Sequence, residues 1–190
     1  MKTEKVLVIV AHPDDELIWM GGLLIDNACK WNTKIISLCR RDDKDRAPRF
    51  FRACELYKAE GIMSDLDDEK LEHIDLEEIK KIIREHAEKS YDVIFTHGRN
   101  GEYGHIRHKE THKAVKEMLE SGELDAKKVF FFSYYKKGKY ACANKNADKF
   151  INLGRETFLR KKGAITEIYG FQKNGFEERS SRNTEAFSLE

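Results

Sequence analysis

The sequence has almost no net charge: 35 Lys+Arg against 34 Asp+Glu leave +1, so it lacks the positive field that draws a protein to nucleic acid. Long hydrophobic runs are missing as well. The N-terminal MKTEKVLVIVAHPDD is apolar only from Val6 to Ala11, too short for a signal-peptide core and followed by charge instead of small residues. No other stretch approaches the roughly 20 residues needed to cross a bilayer. Four scattered cysteines, Cys29, Cys39, Cys54 and Cys142, form no CxxC pair, which argues against a disulfide framework and a thiolate zinc site alike. Internal repeats, low-complexity tracts and Pro- or Gly-rich linkers are also lacking. These absences leave one globular unit over residues 1–190, expected in the cytoplasm, with buried free thiols and a small-molecule partner in place of nucleic acid or membrane.

Against that background, hydrophobic periodicity is informative. Val6 to Ala11 is a continuous, valine-rich run, as expected of a strand covered on both faces. From Asp15 to Lys30 the apolar positions recur at helical spacing, with Gly21 and Gly22 allowing close approach to a sheet. Further strands are expected at 33–39, 62–66, 92–96 and 129–133, and helices at 50–60, 76–89 and 105–120, with Gly61 placed to stop the second helix. Beyond Tyr135 the pattern weakens to a helix around 148–162, a strand at 165–169 and a polar tail. Strands alternating with helices predict a Rossmann-like α/β fold, a mostly parallel open sheet with helices on both faces.

In such a sheet, ligands bind at the carboxyl ends of the strands, where strand order reverses. The first strand runs into His12, Pro13, Asp14, Asp15 and Glu16; the fourth runs into His97, then GRNGEYG, then His105, His108 and His112. Helix capping explains one carboxylate there, but not the histidine beside it. His105 and His108, three apart, share a helix face, and His112 extends it by a turn. A catalytic zinc takes three imidazole or carboxylate ligands and keeps one position open, a set that His12, Asp15 and His108 can supply; their mixed N/O character also suits Fe(II), Co(II) or Mn(II).

The segments AHPDDE, ending at Glu16, and GEYGHIRH, Gly101 to His108, resemble the LmbE/PIG-L family of metal-dependent N-deacetylases. RACE at Arg52 to Glu55, with Ala59 and Gly61, and EAF at Glu185 to Phe187 extend the likeness. The resemblance implies that His12, Asp15 and His108 bind the metal and that Asp14 is the general base. It further implies that His105 assists the carbonyl oxygen or leaving nitrogen, that Tyr103 lies near the oxyanion, and that Arg52 faces substrate with Glu55 as its motif partner. Two departures stand out: Ile106 and Arg107 replace the Pro-Asp of the common HPDH, and IYGFQ at Ile168 to Gln172 lacks the histidine and serine often found before that glutamine.

The implied reaction is hydrolysis of an N-acetyl amide on a sugar of the N-acetylglucosamine type or a related small molecule. Asp14 would take a proton from the attacking water and pass it to the departing amine. His105, best suited when protonated, would stabilise the tetrahedral oxyanion, a contribution of ~3 kcal/mol per donor. Tyr103 either adds a hydroxyl donor or packs against the sheet, Glu16 reads as a first-turn helix residue, and His97 and His112 either stand behind the metal ligands or, as favoured, lie in solvent or packed on a helix face. Most charges in RRDDKDRAPRFFR are expected to be solvated. Rivals are a nucleotide-binding module on Gly98, Gly101 and Gly104, a metal-binding protein without catalysis, and a hydrolase for a non-sugar acylated amine. The first fails on spacing, which is neither GxGxxG nor Walker A, and on the carboxylates of HPDDE, which would repel phosphate. Some relatives form oligomers, so a homo-oligomer stays open.

Overall fold

The computed structural model describes residues 3–70 and 72–189. Five strands, β1 (Glu4–Val10), β2 (Trp31–Ser37), β3 (Glu60–Met63), β4 (Ser90–Thr96) and β5 (Asp125–Phe132), run parallel in the order β3-β2-β1-β4-β5. The reason lies in β1, where every residue from Val6 to Val10 is fully buried. Alternate side chains feed opposite cores. Val6, Val8 and Val10 join Leu17, Trp19, Phe50 and Ala53 on one face, while Leu7 and Ile9 join Ile36, Ile79, Ile83 and Val115 on the other. Helices α1 (Asp15–Asn27) and α2 (Arg46–Tyr57) therefore cover the first face, and α3 (Leu76–His86) and α4 (Ile106–Glu120) the second. The fold is the expected α/β one. Among the described residues no helix is long and apolar enough to cross a membrane.

Helix α2 ends without Gly61. Lys58 takes the left-handed conformation at φ 54° and closes the helix, with its amide bonded to the carbonyls of Cys54 and Glu55. Gly61 instead lies in β3, where a Cβ would meet Cys54 Sγ at 2.7 Å. Its role is close packing of strand on helix.

The C-terminal third departs further from the sequence pattern. After the hairpin β6 (Tyr134–Lys137) and β7 (Tyr140–Ala143), the expected helix at 148–162 divides into β8 (Lys149–Asn152) and α5 (Arg155–Gly163), with Gly154 between them. The expected strand at 165–169 is a π-helical turn (Ala164–Ile168), because Ile165 and Ile168 pack into the first core from a helix end, and short apolar runs do not distinguish the two geometries. The polar tail forms α6 (Phe176–Ser180) and β9 (Thr184–Ser188). Strand β9 pairs antiparallel with both β5 and β8, which completes a seven-stranded sheet.

Glu185 explains why β9 docks there. Helix α1 kinks at Met20 (φ −143°, ψ 16°), and the amides of Gly22 and Leu23 just past the kink donate to Glu185 Oε1 and Oε2 at 2.7 and 2.9 Å. Lys161 Nζ, also fully buried, donates to Glu185 Oε1 at 2.7 Å. Glu185→Ala strands a buried ammonium and two amides, so a loss of about 3–5 kcal/mol is expected in denaturant unfolding. A loss below about 1 kcal/mol would mean that β9 docks by its apolar residues alone.

Candidate active site

Parallel pairing of β1 with β4, Ile9 opposite Thr96, sets the loops after these two strands side by side at the point where strand order reverses. From β1 the chain turns tightly into α1, with His12 N donating to Asp15 Oδ2 at 2.9 Å. Asp14, the residue before the helix, sits at φ 129° and ψ −26°, a sparsely populated conformation costing about 1–3 kcal/mol. Its side chain makes no capping bond. Capping therefore does not account for Asp14; its carboxylate lines a pocket and accepts from Arg46 Nη1 at 3.1 Å. Burial first, and the charge of Asp15 second, raise its carboxyl well above the usual range, which makes it a stronger base than a surface aspartate.

His12, Asp15 and His108 converge. His12 Nδ1, Asp15 Oδ2 and His108 Nε2 lie 3.2 Å from one another along all three edges. Ligands 2.0–2.1 Å from a tetrahedral zinc stand about 3.3 Å apart, so this triangle fits one face of such a coordination shell. The electrostatics fit a cation too. Burial opposes ionisation of Asp15, yet His108 and His97 outweigh it and hold the carboxyl well below the usual range. Against burial, Asp15 and Glu102 raise His108 to about 10. A centre that draws a proton this strongly onto an imidazole can hold a metal ion in its place.

Each of the two imidazoles turns its other nitrogen to a carboxylate absent from the sequence-derived set. His108 Nδ1 lies 2.5 Å from Glu102 Oε2, and His12 Nε2 lies 3.1 Å from Asp68 Oδ2 in an ion-pair contact that lacks hydrogen-bond alignment. Such partners fix the tautomer and orientation of a ligating histidine. Glu102 is fully buried, and its other oxygen accepts from Gly98 N at 2.8 Å. Burial would raise its pKa, but His97 and His108 bring it to about 2. The requirement for a partner behind each histidine could have drawn attention to the acid inside GEYGH; nothing in the sequence marked Asp68, from the loop after β3.

His97 is neither solvated nor packed on a helix face. It is fully buried, stacked on His108 with centroids 3.9 Å apart. Its Nε2 accepts from Ala11 N at 2.9 Å, which leaves the proton on Nδ1 to be donated to Glu102 Oε2 at 2.8 Å. With Nε2 occupied, His97 serves the centre by holding Glu102. His112 packs on the helix face as expected, against Phe131, with Nδ1 donating to His97 O at 3.0 Å. Glu16 is the expected first-turn residue, but buried: it accepts from Tyr169 OH at 2.7 Å, and burial raises it to about 7.

The pocket beside this centre is lined by Asp14, Trp19, Arg40, Arg46, Tyr103 and His105, among others. His105 stands over His12, ring to ring at 4.7 Å, and its Nδ1 is buried without a partner among the described residues. Burial and the charges of His108 and His12 lower it to about 4, so it is neutral at pH 7 and not in the protonated form expected to suit the oxyanion role best. A neutral ring still offers one N–H. Tyr103 packs edge-on to His108 and to Phe176, and burial raises its hydroxyl. Arg52 is not in this pocket. Phe50, Ala53, Cys54 and Tyr57 turn one face of α2 inward, and Arg52 lies on the opposite, exposed face. Arg40 and Arg46 are the pocket's arginines; Arg46 also stacks on Phe171 at 4.4 Å, within the segment where the expected histidine and serine are missing.

Fold and site together define an open α/β sheet protein with a metal-capable His/Asp/His centre at its switch point. The chain belongs to the PIG-L family: the family model described as GlcNAc-PI de-N-acetylase matches residues 7–119, which include every residue of that centre. Glu185 to Phe187 lie outside the matched stretch. Uncharacterized protein L374 of Acanthamoeba polyphaga mimivirus is 30% identical over 130 residues, 57% of this chain and 55% of that protein, so the match spans about half of that relative's length. Among solved structures, the N,N'-diacetylchitobiose deacetylase of Pyrococcus horikoshii is similar at TM-score 0.70 and 15% identity, covering 100% of this chain and 84% of that one. The 4-carboxy-2-hydroxymuconate hydratase GalB of Pseudomonas putida KT2440 is similar at TM-score 0.68 and 15% identity, covering 94% and 83%. At such identities the likeness shows the fold.

Proposed function

We propose that this protein hydrolyses the acetamide of an N-acetylated small molecule, a sugar of the N-acetylglucosamine type, with a divalent metal, zinc in the first instance, held by His12, Asp15 and His108. The observation that carries the reading is the 3.2 Å triangle of His12, Asp15 and His108 donor atoms, with Asp14 lining the same pocket. Membership of the PIG-L family supports the choice of an N-acetyl amide. When bound, the metal supplies Lewis acidity that makes both amide and water more reactive.

The residues divide the remaining work. Asp14, made basic by burial, accepts the proton of the attacking water and delivers it to the leaving amine. His105, neutral and lining the same pocket as Asp14, donates its N–H to the developing oxyanion, with the Tyr103 hydroxyl as a second donor. Arg46 holds Asp14 on one side and sits over the Phe171 ring on the other, so the pocket wall keeps a charge beside the base. Trp19 Nε1 donates to Asp15 Oδ1 at 2.9 Å, which leaves Oδ2 for the centre.

Acetate release from a panel of N-acetylglucosamine derivatives tests this directly. Purified protein is expected to lose activity to background on chelation and to regain it with zinc. Protein that carries one metal per chain yet releases acetate from none of the panel would sink the sugar reading and direct the search to other acylated amines.

A further inference from the structure

The segment between β3 and α3 carries Asp68 to the edge of the centre, and what fixes it there comes from α4. Arg107, fully buried, occupies the position just before His108. Its Nε donates to Asp67 O and its Nη1 to Glu72 O, each at 2.6 Å, and Nη1 also meets Glu110 Oε2 at 2.7 Å. Glu110, one turn on, uses its other oxygen to accept from Ile74 N at 3.2 Å and His73 Nδ1 at 3.0 Å. One ion pair thus grips a loop at four residues, 67, 72, 73 and 74, which flank Asp68. At the loop's inner side Asp68 Oδ2 meets Arg40 Nη2 at 3.0 Å and His12 Nε2 at 3.1 Å.

We propose that the Arg107–Glu110 pair is a positioning device for the metal centre, fastening residues 67 and 72 to 74 on either side of Asp68 so that its carboxylate stays against the outer nitrogen of His12. Apolar residues of equal volume would bind α4 to the sheet without the desolvation of a guanidinium and a carboxylate. Those residues could not, however, hold two carbonyls and an amide of an irregular segment in place. Adjacency in sequence completes the device. Arg107 reaches backward to the loop that orients His12, while His108 reaches forward to the centre, so one helical turn sets two imidazoles. The inference rests on His12 and His108 acting as ligands in the proposed function.

Zinc affinity of the full chain, measured by competition with a chromophoric chelator, tests it without reference to turnover. Asp68→Asn is expected to weaken zinc binding about 10- to 100-fold, as loss of a histidine's carboxylate partner does elsewhere. Arg107→Met is expected to weaken it by a similar factor, and the double variant no further. Arg107→Lys and Glu110→Gln provide gentler versions should Arg107→Met fail to fold, each expected to shift affinity in the same direction. Folded Arg107 variants with wild-type zinc affinity, or effects that multiply with that of Asp68→Asn, would overturn the positioning role and leave Arg107 as a purely structural residue. Wild-type protein that takes up no zinc would overturn the functional reading and this inference together.

Discussion

Asp14→Asn is expected to lower acetate release by about 10²–10⁴-fold while zinc content and the thermal midpoint stay close to wild type. The amide has the size of the carboxylate and can still accept from Arg46 Nη1, now 3.1 Å from Asp14 Oδ2, so neither the pocket wall nor the turn into α1 loses its contact. What it cannot do is take a proton. KM is expected to move little, because a group that relays a proton during the reaction contributes to the transition state and not to substrate binding. Single-turnover acetate release at saturating substrate measures this. A rate within tenfold of wild type would mean that another group is the base, and Glu177, on the same pocket wall, would then be the first to replace.

The α/β architecture was legible because its core strands are of one type. β1 is buried on both faces and reads as an unbroken apolar run; α3 shows a clean amphipathic period. The C-terminal third was not, for physical reasons. Lys149 to Asn152 pairs at a sheet edge, where few side chains need to be apolar, and β9 carries a glutamate that is fully buried because it caps a kink in α1 and neutralises Lys161. A buried acid looks like a surface one until its partners are known.

At the site, the residues drawn together by sequence are those that cluster within motifs. His12, Asp14 and Asp15 follow one strand, and His105 and His108 open one helix. Supporting residues escaped. Glu102 sits among loop glycines and lacks any periodic signal, and Asp68 is 56 residues from His12, brought near it by the parallel pairing of β2 with β1 and β3. Arg52 illustrates the reverse error: a motif match marks the helix that borders the pocket, but the face it occupies is set by the burial of Phe50, Ala53, Cys54 and Tyr57.

Removal of His108 is expected to be the most damaging change of all, in a way that depends on pH. Without its imidazole the proposed zinc site loses a ligand, and His108→Ala is expected to copurify with little zinc and to release acetate at background rate. The metal-free proteins differ too. His108 is raised from 6.5 to about 10 in the fold, so the proton it holds between Asp15 and Glu102 contributes stability that is fully present below about pH 6.5 and is lost as pH rises towards 10. Zinc must displace that proton, so wild-type affinity should climb over the same range and each binding event should release a proton to buffer. Chemical unfolding of the metal-free wild type is expected to show stability falling from pH 6.5 to 10, with that contribution absent in His108→Ala. Identical pH profiles for the two proteins would show that Asp15 and Glu102 do not hold a proton at His108, and would remove the electrostatic argument for a cation at this centre.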